Sequence, residues 1–156
     1  MLIYPSVEND IPMKKILPVI MIAILILALG GCSSQAVTIE NHTWKLTFIQ
    51  STEDGAIIGC ASDYYEDHKD IENLIVVDLA CDAPGTYFTI IDKTNHNTYY
   101  FNYAVKEENS ETIIYDVTSD INTGMAVTSV TKADDGTETP TLIITIGEYT
   151  LNFQDR

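Results

Sequence analysis

Three cysteines are the most reactive side chains in this sequence: Cys32, Cys60 and Cys81. Cys32 directly follows Leu29-Gly30-Gly31 at the end of an apolar run. Cys60 and Cys81 lie within the region of regular hydrophobic patterning. In an oxidising compartment they can form a disulfide. Closing a loop of about twenty residues is worth roughly 3 kcal/mol in the chain-entropy picture. Geometry decides between two outcomes. If their strands form a simple antiparallel pair, the thiols lie about 20 Å apart, out of bridging range. If a helical crossover joins the strands, both cysteines finish at the same end and a bridge becomes feasible. The alternative to a bridge is two buried free thiols packing as small apolar side chains.

The other polar clusters offer less. Asp63, Glu66, Asp67, His68, Asp70 and Glu72 crowd one segment, yet they lack the calcium-loop spacing with its obligatory glycine. Asp116, Asp120, Asn122 and Gly124 echo such a loop but miss its register. A solvated acidic face is the better reading of both, so no metal site and no cofactor are expected. His42, His68 and His96 have no zinc-ligand spacing. There is no nucleophile elbow, HExxH or phosphate-binding glycine loop. The expected function is therefore non-enzymatic. Aromatic residues carry more information. Trp44, Phe48, Phe88, Tyr99, Phe101, Tyr103, Tyr115, Tyr149 and Phe153 can line one cavity for a small hydrophobic or amphipathic ligand, or fill the core outright.

The elements that position these residues begin with the leader. Lys14 and Lys15 precede an almost unbroken apolar run, Ile16 to Leu29. As a helix it rises about 21 Å, short of the ~30 Å hydrocarbon core, which suits a secretory leader better than a span. Glu8 and Asp10 ahead of the basic pair oppose insertion, so Met13 is the expected start. The LGGC sequence at 29–32 resembles the lipobox of bacterial lipoproteins. That resemblance implies a signal peptide at 1–31, a diacylglyceryl group with palmitate-type chains on the Cys32 thiol, and cleavage before Cys32 that makes it the new N-terminus. Two or more such chains anchor firmly where one is marginal. The protein is then held by lipid on the extracytoplasmic face of the cell membrane. Residues 32–42 read as the lipidated terminus and tether, at most ~35 Å for ten extended residues. Val37 and Ile39 are placed to begin packing on the domain.

Removing the leader leaves enough chain for one domain, 43–156, with a core of its own. The net charge of −15 opposes nucleic acid and anionic lipid headgroups. The partners left open are the membrane through the anchor, a small hydrophobic ligand and an envelope protein.

From Thr43 the pattern is period two, with turn residues every eight to twelve positions. Strands are expected around Trp44–Phe48, Ala56–Ala61, Ile75–Cys81, Thr86–Ile91, Tyr99–Val105, Ile113–Val117, Met125–Thr131, Leu142–Ile146 and Tyr149–Phe153. Asp134-Asp135-Gly136 is a strong hairpin signal. Asp63 to Asn73 breaks the rhythm, with Tyr64, His68 and Ile71 at helical spacing and Asp63 with Glu66 as a capping box. The fold expected is all-β: a small antiparallel up-and-down barrel or coiled meander of eight or nine strands, with one short helix between strands two and three. Closure removes the edges such strands expose. With Trp44 in the first strand, the meander order and a terminal Arg156, the domain resembles a small lipocalin-like (calycin-type) barrel. In that group a first-strand tryptophan often packs on an arginine of the last strand. The usual glycine two residues before the tryptophan is His42 here. The ending TPTLIITIGEYTLNF is similar to that of small lipoproteins of gut Firmicutes, which implies no activity. A ligand-binding module is the first functional expectation. A structural or protein-interaction lipoprotein with a solid core is the alternative.

Overall fold

The structure, a computed structural model, describes residues 36–156. The leader, the Met13 start and the lipidated Cys32 lie outside the described residues. Ten strands and one short helix follow in chain order. They are β1 (Trp44–Ser51), β2 (Ile57–Cys60), α1 (Ser62–Asp67), β3 (Ile75–Val76) and β4 (Leu79–Asp82). Then come β5 (Tyr87–Asp92), β6 (Asn97–Glu108), β7 (Thr112–Thr118), β8 (Thr123–Lys132), β9 (Glu138–Ile146) and β10 (Tyr149–Asp155).

From β4 to β10 every strand pairs antiparallel with the next, and β10 closes on β1. The last seam is β1 on β4, through Trp44 opposite Cys81 and Lys45 opposite Ala80. The result is an eight-strand antiparallel barrel with β2 and β3 added at that seam. Period-two patterning explains it. Ile113, Tyr115 and Val117 of β7, Ala126 and Thr128 of β8, Leu142 and Ile144 of β9 and Phe153 of β10 are all buried. Each alternates along its strand with a residue of the opposite face.

The strand expected at Ile75–Cys81 is interrupted at Val77-Asp78. Its first part, β3, pairs parallel with β2, and its second part, β4, pairs antiparallel with β1. β2 is thus a wedge between β1 and β3, and α1 carries the crossover that a parallel pair requires. The helix is shorter than expected. It starts after Ala61, which has no capping side chain. Asp63 lies in its first turn, where its Oδ1 accepts the N–H of Tyr64 at 2.9 Å. The spacing of Tyr64 and His68 does place them on one face, with rings stacked 3.9 Å apart.

Within the expected tether, the described residues from Ala36 onward pack on the barrel, as the placing of Val37 and Ile39 anticipated. Ile39 is 0% exposed. Its N–H donates to the Tyr115 hydroxyl at 3.1 Å, and its carbonyl accepts the Trp44 indole N–H at 2.8 Å. The Ala36 N–H donates to the Ser110 carbonyl at 3.0 Å, and Thr128 Oγ1 donates to the Val37 carbonyl. An extended chain carrying Val and Ile gains by burying them. The Ile39 N–H and carbonyl are satisfied by the polar tips of two core side chains, Tyr115 and Trp44. The barrel, its core and this plug are all built from residues 36–156, a self-contained core of the kind that lets a domain fold as a unit.

Candidate functional site

The aromatic side chains read as cavity-lining fall into three groups. Trp44, Phe88, Phe101, Tyr115 and Phe153 are buried in the interior, and Tyr103 packs against them. Their rings meet one another. Phe88 stacks on Phe101 at 5.1 Å, and Tyr103 meets Tyr115 edge-on at 5.5 Å. Aliphatic residues of β7 to β9 close the rest. Burial pushes the Tyr115 phenol above its ordinary pKa. The Tyr103 phenol is pushed up by burial first and then by the Glu40 carboxylate, with which its hydroxyl bonds.

Phe48 leaves the interior. The register slips between Leu46 and Phe48, so Phe48 stands opposite Asn152, whereas Ile49 stands opposite Leu151. Residues directly opposite share a face, and Ile49 and Leu151 pack on the core. The bulge therefore turns Phe48 outward, where its ring lies 5.3 Å from that of Tyr64 on α1. Tyr99 and Tyr149 are also set apart, both exposed near strand ends.

Cys60 and Cys81 are free and buried. Both strands bind the same edge of β1, Cys60 opposite Phe48 and Cys81 opposite Trp44. Four residues along a strand are about 13 Å, too far for a bridge. The crossover exists, but it parks β2 and β4 at different heights instead of aligning their ends. Burial raises both thiols above the ordinary cysteine pKa, Cys81 far more strongly than Cys60.

Among the described residues no three His, Cys, Asp or Glu side chains converge as metal ligands. The histidines serve local structure. His42 Nδ1 bonds the Asp155 carboxylate at 2.7 Å, and its ring lies 4.9 Å from Trp44. That contact occupies the neighbourhood expected for Arg156, which pairs instead with Asp63. His68 bonds the Tyr64 carbonyl. His96 sits in a turn with φ 58°.

Among the described residues, three clefts on the outside of the barrel stand out. One of about 170 Å³ lies over β1, β8, β9 and β10, beside Phe48, Ile143 and Asn152. One of about 390 Å³ lies at the β1–β4 seam, beside Lys45, Asp63, Asp78 and Arg156. The third, of about 230 Å³, is walled by Tyr87, Tyr100, Asn102, Ser119 and Asp120. Sequence reasoning passed over Tyr87 and Tyr100. The signal was present in the alternation: Phe88, Ile90 and Phe101 point in, so Tyr87 and Tyr100 must point out.

Comparison with family models, curated proteins and solved structures finds no match to the chain. Its function must be argued from these sites.

Proposed function

We propose that this protein is a non-enzymatic envelope lipoprotein, anchored through Cys32 on the extracytoplasmic face of a bacterial membrane, that binds partners or solutes on the outside of a filled, lipocalin-like barrel. The observation that carries the reading is the packing of the interior. Trp44, Phe88, Tyr115 and Phe153 are fully buried in the barrel interior, and Ile39 plugs one end. An eight-strand barrel is just wide enough to be filled or to hold one small ligand, and these side chains favour the filled case. That weighs against a hydrophobic ligand carried inside and towards the surface-acting alternative.

The anchor reading rests on the LGGC sequence, and the plug refines it. Since residues 36–39 belong to the domain, only Cys32 to Gln35 link lipid to barrel, about 14 Å when extended. The plugged end carries Glu107 and Glu108 at the end of β6 and Glu111, Asp134 and Asp135 on its turns. Such a surface keeps the barrel from lying down on anionic headgroups.

Two experiments test the proposal. Native mass spectrometry of residues 33–156 after incubation with a bacterial lipid extract is expected to give the bare mass. A retained lipid, lost on denaturation, would sink the filled-barrel reading. Metabolic labelling with an alkynyl fatty acid is expected to mark the full chain, and Cys32→Ser is expected to lose both the label and membrane association. An unlabelled parent would sink the anchor.

A further inference from the structure

The third outer cleft has walls whose chemistry names a ligand class. Tyr87 and Tyr100 stand on the outward rows of β5 and β6, 39% and 66% exposed. Their ring centroids are 6.3 Å apart and their planes are tilted by 45°. The rings form an open corner instead of stacking on each other. Asn102 and the β7–β8 turn complete the cleft. That turn is tied at both ends. The Ser119 N–H donates to the Asn122 carbonyl at 2.8 Å, and the Asn122 N–H donates to Ser119 Oγ at 3.1 Å. Asp120 is thereby held at the mouth of the aromatic corner. It makes no ion pair among the described residues, and no lysine or arginine lines the cleft.

These walls suit a cation. The face of a tyrosine ring is electrostatically negative and attracts a cation within about 6 Å of its centroid. With centroids 6.3 Å apart, one cation can satisfy that condition for both rings. The Asp120 carboxylate adds a full negative charge, and the net charge of −15 concentrates cations over anions. A bare divalent ion is poorly served here. It demands six or more oxygen ligands, and the cleft offers one carboxylate, one amide and one hydroxyl side chain beside the tyrosines. A bulky alkylated ammonium ion is weakly hydrated and asks only for ring faces and one counter-charge. About 230 Å³ has room for a group of tetramethylammonium size. A phosphate next to the cation, as in a phosphocholine headgroup, would meet Asp120 and the protein's own field unfavourably.

We infer that the cleft between Tyr87, Tyr100 and Asp120 binds a small, free quaternary ammonium solute. The site lies on the outer surface, so neither the anchor nor the state of the barrel interior bears on it, and its test can fail independently of theirs.

The experiment is a titration of residues 33–156 followed by the tyrosine ring resonances in NMR, with ionic strength balanced by sodium chloride. The probes are tetramethylammonium, choline, phosphocholine and 3,3-dimethyl-1-butanol, the neutral shape-mimic of choline. Saturable shifts of Tyr87 and Tyr100 are expected with the first two, and binding about fivefold weaker or worse with the neutral mimic and with phosphocholine. Tyr100→Leu and Asp120→Asn lie on the surface and leave the fold intact. Each is expected to weaken choline binding about fivefold. The inference is overturned if neither cation gives a saturable shift, if the neutral mimic binds as well as choline, or if Tyr100→Leu binds unchanged. Phosphocholine binding as tightly as choline would overturn the assignment to a free solute.

Discussion

Replacing Tyr115 with phenylalanine removes a single oxygen and tests whether the segment before β1 is part of the fold. The Tyr115 hydroxyl accepts the Ile39 N–H at 3.1 Å. Both residues are essentially inaccessible, Ile39 at 0% and Tyr115 at 1%. Water cannot replace the lost acceptor, so the variant leaves a buried amide without a partner. Such an orphan costs about 1–3 kcal/mol, more than the net worth of an average hydrogen bond. Taking about 2 kcal/mol and a urea m-value of about 2 kcal/mol/M, the unfolding midpoint falls by about 1 M with the slope unchanged. Tyr100→Phe, on the open surface, changes stability by less than about 0.5 kcal/mol and serves as the control. Ile39→Ala, which empties the plug itself, is expected to cost about 2–5 kcal/mol. Hydrogen exchange supplies a local readout. The Ile39 amide should be among the protected amides of the parent and lose that protection in Tyr115→Phe. If Tyr115→Phe is as stable as the parent and the Ile39 amide exchanges freely in both, then Ile39 is only tether and the plug reasoning is refuted.

Three further outcomes follow from other parts of the barrel. A Cβ added at Gly124 would lie 2.2 Å from the Thr145 carbonyl oxygen and 2.9 Å from Ile146 Cγ1. Gly124→Ala must therefore displace backbone and is expected to cost about 1–3 kcal/mol in a denaturant titration; a neutral substitution would contradict the β8–β9 register. Intact mass should be the same with and without reductant. In native protein at pH 9, Cys60 and Cys81 should resist iodoacetamide, because burial both hides the thiols and raises their pKa, and both should react at once in denaturant. Rapid native alkylation would mean that the edge of β1 shared by β2 and β4 opens. Asp155 is held below the ordinary carboxylate range, chiefly by the His42 side chain and also by the Thr43 N–H. A lowered folded-state pKa gives stability that is fully present above about pH 4–5 and is lost as the pH falls through the folded value. Asp155→Asn should therefore flatten the acid limb of stability between about pH 5 and pH 2; an unchanged limb would exclude Asp155 from it.

The sequence by itself determined the all-β fold class and most of the strands. Alternation in Ile113-Tyr115-Val117 or Leu142-Ile144 is a local property, because a strand sends successive side chains to opposite faces whatever it pairs with. Turn chemistry is local too, and Asp134-Asp135-Gly136 marked its hairpin, where Gly136 adopts φ 86°. What depends on which strand meets which was decided only by tertiary structure. The slip between Leu46 and Phe48 keeps the sequence's alternation but reverses its meaning, sending Phe48 out to Tyr64. The break at Val77-Asp78 inserts β2 beside β1 and holds Cys60 and Cys81 four residues apart on that strand. Ile39 becomes core because Trp44 and Tyr115, five and 76 residues away, both turn a polar tip towards its peptide groups. The corner of Tyr87, Tyr100 and Asp120 draws on three elements, and only the pairing of β5 with β6 and of β6 with β7 brings them to one face. Periodicity tells which way a side chain points along its own strand; only register and closure tell what it will find there.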